Sequence, residues 1–557
     1  MTDHPNSSTL VDATGNGKFT RRDLLLLGGT LGFCLGLYLV LMDRVAGLFA
    51  DDAWYALLAK SIATGQGYQV LNSPTPGILP LYPPLYPLLL SLPFRVFPDF
   101  PQNVFALKSI SVIAMMALGV AGFVYFSRYR ELSTRLSLIV VALTLLCQPL
   151  MFLATSTLMS ECVFAFEVMA MFLVGERLVK RRNRESRAPF DWGSVLLLSA
   201  LASAIFLTRT IGMVLVVALL VDLIRTRLIR ECAVVLLISG LAIGLWTLQT
   251  RHRTPTPQQR LEQGGNIIMN YREQFWQQVA GINSGTPVGW TDLPGRFAQN
   301  VKIIVDTGLL QISAPLLLRE LNELGETSSG PAGIAQILIS LALAALILIG
   351  YLSAIRVRPT AAEFGLPLIL GLIVLWPFRP LRFLAPLAPF IFYYLLTGVE
   401  TVWQLVSKRD SAVERNGAPV LATAWVLLVI SVAGHFATIY GNPGSASLAL
   451  TWEAAFDDNE KLMAWVTANI PKSEVLISNN PALLSLFTGH KSVNLDLRPE
   501  RWEMFRDKNL RYVVLHRYEG NDLTLPGNNF VLHRIRNQAD FRVIDLGPPA
   551  TRPAYVP

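Results

Sequence analysis

Charge is scarce in this 557-residue chain: Asp, Glu, Lys and Arg make up 15% of it, against about 25% in soluble globular proteins. Only six histidines and four cysteines are present. The cysteines, Cys34, Cys147, Cys162 and Cys232, lie in or beside apolar runs, so they read as small buried hydrophobes and not as disulfides or metal ligands. No His/Cys cluster has zinc-like spacing, no GxxxxGKS/T phosphate loop is present, and no G-x-S-x-G elbow appears. These absences argue against a nucleotide-driven pump and a serine hydrolase. The chain also lacks internal repeats and low-complexity tracts.

Apolar sequence is abundant instead, at 52% of residues. Runs near 20 residues, each long enough to cross a ~30 Å hydrocarbon core, predict a mainly α, polytopic membrane protein. The expected spans, about 11, cover 24–48, 105–126, 136–154, 161–176, 192–208, 210–224, 232–250, 333–355, 361–377, 383–404 and 418–440. The segments 192–208 and 210–224 form an expected hairpin turning at Arg209. The net charge of +8 is distributed as topology, not as a nucleic-acid patch. Basic clusters around Arg21, Arg128, Arg177, Arg225, Arg356 and Lys408 follow alternate spans and all fall on the side of the N-terminus, which is then cytoplasmic. Thr20-Arg21-Arg22-Asp23-Leu24-Leu25 resembles a twin-arginine export signal. Leu48 occupies the small-residue position that cleavage after Ala50 would need, and the run exceeds a signal core. An uncleaved first span is expected.

Three regions follow. Residues 1–20 are polar and read as a disordered cytoplasmic tail. Residues 21–440 form the membrane part, with long outer loops at 49–104 and 251–332. In the first loop Trp54, Leu57, Leu58 and Ile62 recur at helical spacing, predicting a helix lying in the interface plane, ended by Gly65 and Gly67. A half-apolar stretch from Val301 to Leu318 predicts a second interfacial or re-entrant helix. Residues 441–557 turn polar and alternate helix with strand: helices at 458–468 and 481–487, and strands at 474–478, 492–497, 512–516 and 541–546. They are expected to form an extracytoplasmic α/β domain large enough for its own core.

The chemistry-bearing residues collect at the outer boundary. Asp51 and Asp52 directly follow the first span. A positioned carboxylate can take the proton of a hydroxyl nucleophile, and a second can hold an acceptor or a divalent cation, although no cation is required by any motif. Asp also favours the first turn of a helix on its own account. Arg209, Arg379 and Arg382 sit on the outer side against the positive-inside trend. A guanidinium kept near apolar surface suits a phosphate, which it binds bidentately, or it snorkels to lipid headgroups. Glu161 opens a span behind Ser160, either as first-turn helix chemistry or as part of the same outer surface. Tyr55 and Tyr82 can stack on sugar or polyprenyl groups, or belong to an aromatic belt.

At these residues the chain resembles the polytopic glycosyltransferases of the GT-C superfamily, particularly the ArnT-like and protein O-mannosyltransferase-like group. The resemblance rests on Asp51-Asp52-Ala53-Trp54-Tyr55, Tyr82-Pro83-Pro84-Leu85-Tyr86, Ser160-Glu161, Thr208-Arg209 and Arg382-Phe383-Leu384-Ala385-Pro386. It implies transfer of a sugar from a polyprenyl-phosphate donor to a lipid, glycan or protein acceptor on the outer face of a bacterial inner membrane, with inversion. Asp51 would be the base. Two departures stand out: Asp52 replaces the glutamate many relatives carry, and Tyr82 stands where ArnT-like enzymes tend to have a lysine. Phosphate contact then falls on the arginines. A lipid-linked-sugar transporter and an O-antigen polymerase or ligase remain competing readings, but a transporter would place ionisable residues at mid-bilayer or show inverted repeats.

Overall fold

The computed structural model describes residues 19–75, 77, 79, 81–184, 189–251, 253, 255–263, 271–276, 288–324, 330–407, 417–440, 448–495, 499–515, 531–534 and 542–545. The expected tail, apart from Phe19 and Thr20, lies outside them, as does the basic pair Lys408 and Arg409. The protein is a mainly α, multi-pass membrane fold. Each expected span coincides with a helix or helix pair, but not all meet the requirement for crossing. Among the described residues six helices are long and apolar enough: Arg21–Leu41, Val104–Arg128, Ile229–Arg251, Pro331–Val357, Leu381–Ser407 and Ala418–Phe436. Thr134–Leu145 and Gln148–Thr155, bent by 52°, raise the count to seven if they form one span. The bend falls just before Pro149, which begins the second helix without needing a backbone donor. Glu161–Arg184 carries too much charge to qualify, and Trp192–Thr208, Met213–Arg225 and Ala361–Leu375 have only 17, 13 and 15 residues.

Two boundaries differ from expectation. The first helix, opened by a Thr20–Asp23 capping box, stops at Leu41, seven residues before the expected end. Residues 42–49 are a non-helical connector that carries Asp43 and Arg44. The stretch read as a second interfacial helix is broken into Leu293–Ile303, a π-helical turn at Ile304–Gly308, Leu309–Ser313 and Pro315–Leu324. Gln336 and Ser340 donate to the Asp306 carbonyl that the π-turn leaves open.

Packing of the long helices relies on small residues. A Cβ at Gly350 would meet the Tyr394 carbonyl, and one at Gly398 would meet the Leu346 carbonyl. Only glycine therefore lets Pro331–Val357 and Ala388–Ser407 approach backbone to backbone. At one end of the bundle three arginine contacts tie segments together: Arg130 Nη2 to Glu363 Oε1 at 2.5 Å, Arg358 to Glu176 at 2.5 Å, and Arg225 Nη2 to the Pro359 carbonyl at 2.7 Å. Loops that the positive-inside pattern assigns to one side thus meet at one end.

The C-terminal region holds a five-stranded sheet of order β2-β1-β3-β5-β4, with β1 Leu476–Ser478, β2 Ser492–Asn494, β3 Tyr512–Leu515, β4 Val531–Arg534 and β5 Arg542–Asp545. β1 pairs in parallel with β2 and β3, while β5 lies antiparallel between β3 and β4. Parallel pairs need crossover connections, supplied here by the helices Pro481–Thr488 and Pro499–Asp507. The two faces have separate small cores: Ile477, Val493, Phe505 and Val513 on one, Leu462, Val466, Leu476 and Val514 on the other. The sequence reading anticipated the alternation here but missed Pro499–Asp507 and β4, and it began the Leu448–Asn469 helix ten residues late.

Candidate functional site

The site is built on the helix Ala50–Ala63, which follows the 42–49 connector. Phe49 caps it without a side-chain hydrogen bond, and Asp51 and Asp52 occupy its first turn, where the helix dipole favours negative charge. The helix is enclosed by protein on most of its surface. Ala53 to Ala59 are all at most 5% exposed, because the helix is sandwiched between Leu85–Val96 and Pro481–Thr488 of the C-terminal region. Gly47, at φ +84°, makes the approach possible: a Cβ there would run into the Leu483 side chain.

Six of the predicted residues converge. The Tyr82 hydroxyl donates to Asp51 Oδ1 at 2.7 Å, and Arg382 Nη2 donates to Asp51 Oδ2 at 2.9 Å. Arg382 Nε lies 3.1 Å from Glu161 Oε1, and Arg209 Nη1 lies 2.8 Å from the same oxygen. These are ion-pair distances without hydrogen-bond alignment, and Glu161 Oε2 has no donor among the described residues. Arg209 Nη1 donates to Ser160 Oγ at 3.1 Å, which is 3.2 Å from the Tyr55 hydroxyl. Both guanidinium groups also sit over the Phe383 ring, at 5.0 Å for Arg382 and 5.4 Å for Arg209. Arg382 is thus a bridge between two carboxylates that come from helices 110 residues apart in sequence, Ala50–Ala63 and Glu161–Arg184.

Exposure separates the roles. The side chains of Asp51 and Arg382 are 32% and 24% exposed, whereas that of Glu161 is wholly buried. The open face of the site is therefore Asp51 and the forward edge of Arg382. Tyr55 and Tyr82 form part of the frame and not a free stacking platform: both are buried, and Tyr55 meets Tyr82 and Tyr86 edge-on at 5.0 Å each. Arg379 stands apart from this cluster. It is exposed and makes no hydrogen bond or ion pair among the described residues, since it precedes the turn at Pro380 that swings Arg382 inward.

The two aspartates have opposite electrostatics. Burial raises the Asp51 carboxyl, but the Arg382 charge, hydrogen bonds from Tyr82 and Arg382, and the nearby Arg209 outweigh it, holding Asp51 below its ordinary value. Asp52 is fully enclosed. Burial and then the Asp51 charge push it up to about 7, against the partial relief of backbone amides at Gly47, Phe49 and Ala53. Neither Asp52 oxygen has a well-aligned donor among the described residues. Asp52 thus sits behind Asp51 and does not reach the open face where an acceptor would be held. Because its ionised form is penalised only in the folded state, the cost is absent below the unfolded value of 3.8, grows up to about 7 and is complete above it. Asp52→Asn is accordingly expected to gain stability over wild type as pH rises from 5 to 8, by on the order of a few kcal/mol. Thermal unfolding of both proteins at the two pH values checks this, and a constant gap would refute it.

No cluster of three or more His, Cys, Asp or Glu side chains suited to a metal ion occurs among the described residues. Asp51 and Glu161 have the Arg382 guanidinium between them, so these two carboxylates do not fit a cation at that point. Sequence reasoning also missed two buried polar groups. Lys108, wholly buried in Val104–Arg128, pairs with Asp43 at 2.6 Å. Glu167 accepts from the Thr208 hydroxyl at 2.9 Å. Their signal was present, since an ionisable residue inside a membrane-length run is costly and marks a partner.

No family model and no curated protein matches the sequence. Solved structures do match it. ArnT from Cupriavidus metallidurans bound to undecaprenyl phosphate is 12% identical, with a TM-score of 0.54, covering 94% of this chain and 98% of that one. An Archaeoglobus fulgidus oligosaccharyltransferase tethered to an acceptor peptide with the NVT sequon is 13% identical, with a TM-score of 0.53, covering 88% and 68%. The fold is that of the GT-C glycosyltransferases. A third match, the oligosaccharyltransferase AglB from the same archaeon with an inhibitory peptide and a dolichol-phosphate, covers 89% of this chain and 70% of that one at a TM-score of 0.52 and 12% identity. At such identities the likeness establishes the GT-C architecture, and the residues above must carry any statement about chemistry.

Proposed function

We propose that this protein is a glycosyltransferase that moves a sugar from a polyprenyl-phosphate donor to an acceptor on the extracytoplasmic face of a cell membrane, with inversion. The observation that carries the reading is Arg382, held between the partly exposed Asp51 and the buried Glu161. In the reaction Asp51 removes the proton of an acceptor hydroxyl as its oxygen attacks the anomeric carbon. The bond from that carbon to the phosphate oxygen breaks on the opposite face, and the electron pair leaves on the polyprenyl phosphate. Arg382 and Arg209 stabilise that growing charge, the task for which pre-oriented donors are most effective. In the resting site Arg382 suppresses the basicity of Asp51. A donor phosphate that draws on the same guanidinium relieves that suppression, so base strength rises when donor is bound. The structural neighbours support this reading through the ligands bound to them, undecaprenyl phosphate and dolichol-phosphate.

The test is transfer of radiolabelled sugar from a panel of polyprenyl-phosphate sugars by purified protein, with lipid, glycan and peptide acceptors. Product from one donor identifies the sugar. Binding of donors without transfer to any acceptor overturns the transferase reading in favour of a lipid-linked-sugar transporter.

A further inference from the structure

A second polar centre lies beside the site, and the reading above assigns it no role. Asp43, in the 42–49 connector, is 6% exposed and engages three separate parts of the chain. Its Oδ1 accepts from Lys108 Nζ at 2.6 Å and from its own connector, Val45 N, at 2.9 Å. Its Oδ2 accepts from Ser156 Oγ at 2.5 Å. Its backbone carbonyl accepts from Lys108 Nζ at 2.7 Å, and its amide donates to the Thr155 carbonyl at 3.3 Å. A buried ion pair is poor value as a source of stability, because desolvation offsets most of the attraction. Its better-attested use is registry, fixing one element against another.

The elements joined here are informative. The connector ends at the helix bearing Asp51, and Ser156 lies in the turn that ends at Ser160 and Glu161. Among the described residues Asp51 and Glu161 are bridged by the Arg382 guanidinium, which a donor phosphate would draw upon, and the Asp51 helix otherwise reaches this turn in the site through the longer Tyr55–Ser160 contact of 3.2 Å. We infer that Asp43, anchored by Lys108 and bonded to Ser156, is a positioning residue that holds the Asp51 helix in register with the Ser160–Glu161 turn when Arg382 is engaged elsewhere. Lys108 supplies the fixed post, since it is wholly buried on a long membrane helix. Asp43 and Lys108 do not touch the reacting atoms. Their effect passes through the separation of Asp51 from Glu161.

This inference rests on the transferase reading for its consequence but not for its first test. Ser156→Ala removes the side-chain strut between connector and turn and leaves the 3.3 Å bond from the Asp43 amide to the Thr155 carbonyl, and hydrogen exchange is to be followed at residues 44–52 and 156–161. Both segments are expected to lose protection together, while the Pro331–Val357 helix is unchanged. Loss in one segment alone, or in neither, would overturn the registry role even if transfer is observed. In the transfer assay Ser156→Ala is expected to lower kcat about tenfold with the donor KM within twofold. The double variant Asp43→Leu, Lys108→Met removes the pair without leaving a buried charge. It is expected to melt near wild type yet transfer at least tenfold more slowly. Full activity in that double variant would reduce the pair to a stability element. If wild type itself transfers no sugar while the exchange coupling is seen, the transferase reading fails and the registry stands.

Discussion

Asp51→Asn should abolish sugar transfer, by about 10²–10⁴-fold or more as expected for removal of a general base, while the protein still inserts, folds and binds donor. The asparagine can still accept from Arg382 through its one carbonyl oxygen, and its amide can donate to the Tyr82 hydroxyl with that bond reversed, so the frame survives while the proton acceptor is lost. The pH profile gives an independent check. Burial raises the Asp51 carboxyl, but the Arg382 charge more than offsets it and leaves the net shift downward. The free enzyme is therefore expected to hold kcat/KM on its acid side to below the ordinary carboxylate range, and to lose it only as Asp51 protonates. The acid limb of kcat, which reports the donor-bound state, should lie at higher pH, because the phosphate shares Arg382. Coincident limbs would remove the competition for Arg382, and near-normal transfer by Asp51→Asn would remove Asp51 as base.

Arg382→Ala has the second largest expected effect, on rate and stability together. Loss of a pre-oriented donor to the leaving group costs about 10²–10³-fold in rate. Loss of one partner of a buried ion pair costs about 3–5 kcal/mol, and the low end applies because Arg209 still faces Glu161 and Arg382 is 24% exposed. Arg382→Lys should recover part of the stability but little of the rate, since a point charge cannot face Asp51 and Glu161 at once as the planar fork does. Steady-state kinetics and melting temperatures of the two variants separate these effects. An alanine variant within threefold of wild type would exclude Arg382 from the chemistry.

Asp51, Glu161, Arg209 and Arg382 were legible because each is a charge at the end of an apolar run, where charge is expensive enough to need a reason. Arg379, grouped with Arg382 because both lie on the outer side near apolar sequence, stands outside the cluster because the helical turn starts only after it, at Leu381. The enclosure of residues 53–59, in the Ala50–Ala63 helix, by other parts of the chain was not anticipated, although the signal existed. Beyond its first turn the helix has only Lys60 and Ser61 as polar residues, and a helix apolar nearly all round belongs inside protein. Asp43 and Lys108 were hidden by counting both within spans. Their pairing joins positions 65 residues apart, which no local pattern encodes.

The close seat of Leu483 on Gly47 bears on how this molecule can be altered. The C-terminal region touches the Asp51 helix through Leu483, through Asn480, which donates to the Gly47 carbonyl at 3.4 Å, and through the Leu486 carbonyl, which accepts from Lys60 at 3.5 Å. Arg44, next to Asp43, pairs with Asp457. Trimming or exchanging the sheet-bearing region would therefore uncover the floor of the site and not merely remove an appendage. Grafts meant to change acceptor choice must carry residues 44–60 with them, so the two halves of the chain are constrained to diverge together.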